Sequence, residues 1–230
     1  MSTVAVIPVK QLHNAKQRLA GLLSPRDRKD LFTAMFRDVL EAATTCDRID
    51  RVMVVTDDPE VAGIAREFGA QVRPEPSSPG LIAAVTSAAE QLAREEVTTM
   101  VFLPADIPLV SVEELEVVLD GIGQSGQKEF MIVPARDLGG SNCVVTSPPD
   151  CVEFGFGEDS FRRHLGLARE SGVEPQVAKL PGIGLDVDTP GDLTMVAQII
   201  ETSGLATNTA RALVESGIVD KLAERRLRIG

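Results

Sequence analysis

Three short runs of apolar and β-branched residues constrain this chain most: Thr3 to Val9 (TVAVIPV), Arg51 to Thr56 (RVMVVT) and Met100 to Leu103 (MVFL). Each is too short for a typical helix, apolar at nearly every position and bounded by breakers, which reads as a central, buried strand. The segments between them carry helix signals. Ser24-Pro25-Arg26-Asp27 offers a cap, a first-turn proline and an acid, and Leu31, Met35, Val39 and Leu40 then recur on one face. Asp57-Asp58-Pro59 opens a helix from Glu60 to Phe68 that Gly69 ends. The turn cluster Pro76 to Gly80 caps a helix from Leu81 to about Arg94, and Ser111 with Glu114 predicts a capping box for a helix reaching Leu119. Strands alternating with helices give an α/β three-layer sandwich with a mostly parallel sheet.

Beyond Gly121 the alternation loosens. Phe130 to Pro134 and Cys143 to Thr146 are strands separated by the breaker Gly139-Gly140-Ser141-Asn142, and Phe161 to Glu170 is an amphipathic helix. Thr189-Pro190-Gly191-Asp192 starts another helix, Leu193 to Ile200. Residues 1–203 read as one domain, and the Ala- and Arg-rich remainder, 204–230, as a helical tail without a clear tie to the core.

The chemistry gathers where strands end. The run from Met100 leads into Pro104-Ala105-Asp106 and is stopped by Pro108, which places Asp106 at the carboxyl edge of the sheet, where open α/β folds bind ligands. In Leu185-Asp186-Val187-Asp188-Thr189-Pro190 the alternation points Asp186 and Asp188 to one side. Asp106 and Asp188 could each merely cap the turn or helix that follows. Converging together, the three acids would repel one another unless a hard cation such as Mg²⁺ lay among them.

Lys10, Lys16 and Arg18 follow the first strand directly, either as a solvated helical face or as a cradle for a triphosphate. Gly139 to Asn142 is a hairpin turn, or a loop whose amides and short side chains, Ser141 and Asn142, face a carboxylate or phosphate. Ser160, behind Phe156-Gly157, is an N-cap or part of an anion site. His13 and His164 read as structural or exposed, although His164, one turn into its helix, faces the same region as Ser160, and no Ser–His–Asp or Cys–His arrangement supports nucleophilic acyl chemistry.

A net charge of −11 argues against nucleic acid and against anionic membrane surfaces as partners. Cys46, Cys143 and Cys151 form no CxxC pair, so neither a zinc site nor a disulfide framework is expected. With no basic leader and no apolar run long enough to span a bilayer, a cytoplasmic location is the expectation.

Six segments in collinear order then carry a resemblance: Ile7-Pro8-Val9-Lys10, Ala15-Lys16-Gln17-Arg18-Leu19, Leu23-Ser24-Pro25, Pro104-Ala105-Asp106-Ile107-Pro108, Phe156-Gly157-Glu158-Asp159-Ser160 and Asp186 to Leu193. From about Thr3 to Leu193 the chain resembles the CofC/FbiD guanylyltransferases of coenzyme F(420) biosynthesis, within the nucleotide-diphospho-sugar transferase-like (Rossmann-like) nucleotidyltransferases. The resemblance implies an enzyme that binds GTP as substrate with Mg²⁺, two ions by expectation. It joins GMP to phosphoenolpyruvate, 2-phospho-L-lactate or 3-phospho-D-glycerate and releases pyrophosphate. It further implies Asp106, Asp186 and Asp188 as metal ligands; Asn142, Gly157 and Ser160, with Ser141 beside them, as holders of the three-carbon acid; and Lys10, Lys16, Arg18 and Gly80 on the nucleotide. Lys16, Arg18 and Asp106 are the catalytic candidates, and the family-like tail suggests a homodimer. Members commonly carry Leu-Asn where this chain has Leu81-Ile82, so a partner for the base or ribose is missing there.

Overall fold

Successive side chains of the apolar runs go to opposite faces of one sheet, and this divides the core in two. In the computed structural model, which describes residues 2–12 and 15–229, the elements follow in order. They are β1 (Thr3–Pro8), α1 (Pro25–Thr45), β2 (Arg51–Val55), α2 (Pro59–Glu67), β3 (Gln71–Arg73), α3 (Leu81–Arg94), β4 (Thr99–Phe102), α4 (Val112–Leu119), β5 (Glu129–Pro134), β6 (Ser141–Ser147), α5 (Ser160–Glu170), β7 (Gln176–Val177), α6 (Pro190–Ser203), α7 (Asn208–Glu215) and α8 (Ile218–Ile229). His13 lies outside the described residues.

The sheet has seven strands in the order β3-β2-β1-β4-β6-β5-β7. All pairs are parallel except those made by β6, which runs against both β4 and β5. Ala5, Ile7, Val54, Val101, Val133 and Val145 pack beneath α1, α2, α4 and α6. Val4, Val6, Met53, Phe102, Phe130 and Val144 pack beneath α3 and α5. The three layers match the expected architecture, and no described helix is long and apolar enough to cross a membrane. Reversing β6 has a consequence for the site, because its first residues, Ser141 and Asn142, lie at the edge where β4 and β5 end.

Three local expectations are corrected. Ser111 accepts the Glu114 amide at 3.3 Å, but Glu114 does not return the bond. Its carboxylate instead accepts the Gly182 and Ile183 amides at 2.8 and 2.7 Å, an ionised acceptor satisfying two donors at once. Ser141 and Asn142 belong to a strand and not to the glycine loop: Ala135 N–H donates to Gly140 O at 2.9 Å and closes the turn earlier.

The segment after Gly204, finally, is tied to the core. Leu213, Ile218 and Leu222 are buried in the larger apolar cluster. Asp38 on α1 accepts the Asn208 amide, the Thr209 amide and Asn208 Nδ2 at 2.6, 2.9 and 2.9 Å, capping α7 from another helix. Burial pushes the Asp38 carboxyl above its usual range, and these bonds work against that. Asp38→Ala leaves the first amides of α7 without their acceptor and is expected to cost about 2 kcal/mol, net of the desolvation it relieves. That is a fall of roughly 5 °C in Tm for a domain of this size. Hydrogen exchange should show α7 opening before the sheet, and uniform protection would count against the clamp.

Candidate active site

Two loops at the carboxyl edge are joined backbone to backbone. Val187 N–H donates to Asp106 O at 3.0 Å, which seats the Asp186–Asp188 segment beside the end of β4. Thr189 caps α6 with Asp192 reciprocating, so Asp188 is left free of capping duty. Its carboxylate takes Lys16 Nζ at 2.9 Å and Arg18 Nη1 at 3.2 Å, and Lys16 Nζ also donates to Asp106 Oδ2. Neither acid caps the turn that follows it.

The cations do not lie on a helical face. Lys16 has φ 56°, in the left-handed region that non-glycine residues seldom occupy, and it heads the single turn Gln17–Leu19. Leu19, fully buried, anchors that turn. The strained backbone sends the Lys16 side chain inward until 5% of it is exposed, with Nζ 5.9 Å from the centre of the Phe32 ring. Lys10 and Arg18 stay at the surface. Lys10, Lys16 and Asp106 line a cavity of about 290 Å³ with Pro8, Leu81 and Phe102. Gly80, at φ 120°, is the N-cap of α3 and gives it no side-chain cap, and Leu81 at its first turn lines the same cavity. A cavity of about 380 Å³ lined by Pro134, Leu138, Leu180, Met195 and Ile199 has no carboxylate in its wall.

Burial opposes the charge on Lys16, but Asp106 and Asp188 outweigh it and raise the amine's pKa. Burial likewise opposes Asp188, whose pKa is nevertheless lowered by Lys16 and then Arg18. Asp186 goes the other way. Burial raises it, the neighbouring charges of Asp106 and Asp188 add to that, and a hydrogen bond from Asn142 Nδ2 at 3.0 Å counters them. Among the described residues no group of three or more His, Cys, Asp or Glu side chains is placed to hold a metal ion. The Lys16 ammonium stands between Asp106 and Asp188, and Asp186 turns to Asn142. The donor set is carboxylate oxygen throughout, which suits a hard divalent cation. Asp186 feels the charges of both Asp106 and Asp188, while Lys16 and Arg18 already pair with those two acids.

The other candidates form a second group at the same edge. Asn142 Nδ2 also donates to Ile183 O at 3.0 Å, so the loop clamped by Glu114 is tied through Asn142 to Asp186. Gly157 has φ 117°, a conformation that side chains rarely adopt. Ser160 is not the cap of α5, since Asp159 occupies that position. Its hydroxyl donates instead to Ser141 Oγ at 3.2 Å. Arg163 secures the glycine loop by donating to the carbonyls of Gly155, Phe156 and Glu158 at 3.2, 3.3 and 2.9 Å. His164 is wholly buried, with Nδ1 2.9 Å from Ser141 Oγ. This contact is no nucleophile–base pair, because Nε2 accepts the Gly155 amide at 3.0 Å and the ring proton must then sit on Nδ1.

Glu114 and Arg163 went unread as parts of the site. A Ser followed by an acid three residues on matches a capping box, and nothing near Glu114 in sequence points to residues 182–183. Arg163 was legible only as one cation in an Arg162-Arg163-His164 run.

The chain is similar to known proteins over most of its length. The family described as "Guanylyl transferase CofC like" matches residues 3–213. A phosphoenolpyruvate guanylyltransferase of Conexibacter woesei is 36% identical over 200 residues, which is 87% of this chain and 89% of that protein. A 3-phospho-D-glycerate guanylyltransferase of Colwellia psychrerythraea is 35% identical over 197 residues, 86% of this chain and 92% of that one. A Desulfovibrio desulfuricans G20 crystal structure, assigned to the nucleotide-diphospho-sugar transferases, superposes with a TM-score of 0.77 at 16% identity, covering 96% of this chain and 99% of its own. That likeness speaks for the fold alone, whereas the match over residues 3–213 speaks for descent: the chain belongs to the CofC-like guanylyl transferase family.

Proposed function

We propose that the protein transfers GMP from GTP to the phosphate of a phosphorylated three-carbon acid and releases pyrophosphate. The observation that carries this reading is the buried Lys16 held between Asp106 and Asp188 in the wall of the cavity at the ends of β1 and β4. An acceptor phosphate oxygen forms a bond to the α-phosphorus of GTP as the bond from that phosphorus to the bridging β-phosphate oxygen breaks. The step needs positioning and charge neutralisation more than a protein nucleophile. An acceptor phosphate is already ionised at neutral pH, so no general base is required.

Lys16 and Arg18 supply the positive charge that a departing pyrophosphate needs, and Lys10 and the start of α3 at Gly80 extend that surface toward the nucleotide. Ser141 donates to the acid end of the acceptor, with Gly157, Ser160 and Asn142 around it, the Ser160 hydroxyl and Asn142 Nδ2 being held by their own partners. Asp106, Asp186 and Asp188 would hold Mg²⁺, which when bound neutralises phosphate oxygens. Among the three acids, phosphoenolpyruvate is favoured because relatives such as the Conexibacter woesei protein bear its name. The same reading places the reaction in coenzyme F(420) assembly and in the cytoplasm, where three free, buried cysteines are at home.

The test is pyrophosphate release with GTP, Mg²⁺ and each of phosphoenolpyruvate, 3-phospho-D-glycerate and 2-phospho-L-lactate, with ATP and CTP as controls. Release is expected with GTP and phosphoenolpyruvate. Absence of release with all three acids overturns the reading, and equal release with CTP would show that Ile82 has relaxed the choice of base.

A further inference from the structure

Two hydroxyls and a ring at the acceptor end form a hydrogen-bond chain, and the backbone fixes the ring's place in it. The Gly155 amide can only donate, so the His164 Nε2 it meets at 3.0 Å must be bare. A neutral imidazole then carries its proton on Nδ1, and that N–H donates to Ser141 Oγ at 2.9 Å. The Ser160 hydroxyl donates to the same oxygen at 3.2 Å. With both lone pairs of Ser141 Oγ taken, its own proton points away from both donors and is left to donate.

The surroundings keep the ring from leaving this state. His164 has no exposed surface and packs edge-on against Phe156 and Phe154 with Phe130 nearby. Burial lowers its pKa to about 4, with Arg163 adding to the shift and a hydrogen bond to the Ser160 backbone working against it. The ring therefore stays neutral across the working range of pH, and its donor does not switch off.

We infer that His164 is a positioning residue for the acceptor: through Nδ1–H it orients Ser141 so that the Ser141 hydroxyl donates to the anionic end of the phosphorylated acid. This rests on the reading of the site proposed above and adds the residue that makes the Ser141–Ser160 pair a directed donor.

Paired variants separate the two roles. His164→Gln can still accept the Gly155 amide at the Nε2 position but presents nothing to Ser141. His164→Asn reverses this, since its Nδ2 falls near the Nδ1 position and keeps the donor. KM for phosphoenolpyruvate is expected to rise about tenfold in His164→Gln, with KM for GTP within about twofold, and to return toward wild type in His164→Asn. Ser141→Ala should raise the same KM, and adding His164→Gln to it should raise it little further, because the ring acts through that hydroxyl.

The ring itself can be read in the unmodified protein. The chain has only two histidines, so ¹⁵N chemical shifts of the imidazoles report the tautomer directly. An Nδ1–H signal for His164 supports the inference and an Nε2–H signal overturns it, even should the variants fold poorly. A wild type that turns over beside a Gln variant with unchanged acceptor KM overturns this inference alone. A wild type inert toward all three acids overturns it together with the reading beneath it.

Discussion

Asp106→Asn is expected to lower kcat by about a thousandfold, the scale of losing one fixed charge from a site whose work is electrostatic. The substitution is nearly isosteric, so the loop between β4 and α4 keeps its path and Asp106 O still accepts the Val187 amide. What goes is half of the negative field around Lys16, because Asp188 remains at 2.9 Å. The buried ammonium keeps one carboxylate, and the stability cost is about 1–2 kcal/mol, well below that of stranding a buried charge outright. Steady-state kinetics and thermal melting on one preparation check both halves. A folded variant within tenfold of wild-type kcat would remove Asp106 from the chemistry and leave its contact with Lys16 as a structural ion pair.

This site was legible in the sequence to the extent that it is built from strand ends. Asp106 follows an apolar run that could only be a buried strand, and Asp186 and Asp188 alternate, so their placement at one edge followed from the architecture. Lys16 was legible by position but not by conformation. A lysine at φ 56° that turns inward between two acids leaves no periodic trace, and the segment read equally well as an exposed face. The partners of Glu114 and His164 were beyond reach for a shared reason, although His164 itself could be placed near Ser160. Each of the two residues acts on partners far along the chain, residues 182–183 for one and Ser141 for the other, and local patterns report only neighbours. The tail was misread because an amphipathic helix at a chain end looks the same whether its stripe covers this core or another copy's. Asp38, mid-helix in α1, was the unremarked sign that something docks there.

Gly182→Ala should be the most damaging glycine-to-alanine change among the described residues. A Cβ at that position would lie 2.2 Å from Leu109 O and 2.6 Å from Glu114 Oε2, and the first of these is backbone that cannot swing aside. Glu114 could rotate, but only by releasing the Gly182 and Ile183 amides, which sit in the loop leading to Asp186 and Asp188. The cost is therefore structural and functional at once. Overpacking of this kind is worth about 3 kcal/mol, a fall of roughly 6–12 °C in Tm at this chain length. The released loop should also carry Ile183 O away from Asn142 Nδ2, loosening Asp186. Glu114→Gln provides the comparison, since it keeps the volume and one acceptor oxygen while losing the charge shared by the two amides. Its NH2 meets one of the two amides donor to donor, so it should lose about 1–2 kcal/mol, less than Gly182→Ala, and turn over several-fold more slowly. If Gly182→Ala instead melts and turns over like wild type, the loop is not held where Leu109 and Glu114 appose it, and the route from Glu114 through Asn142 to Asp186 is not what sets the acids in place.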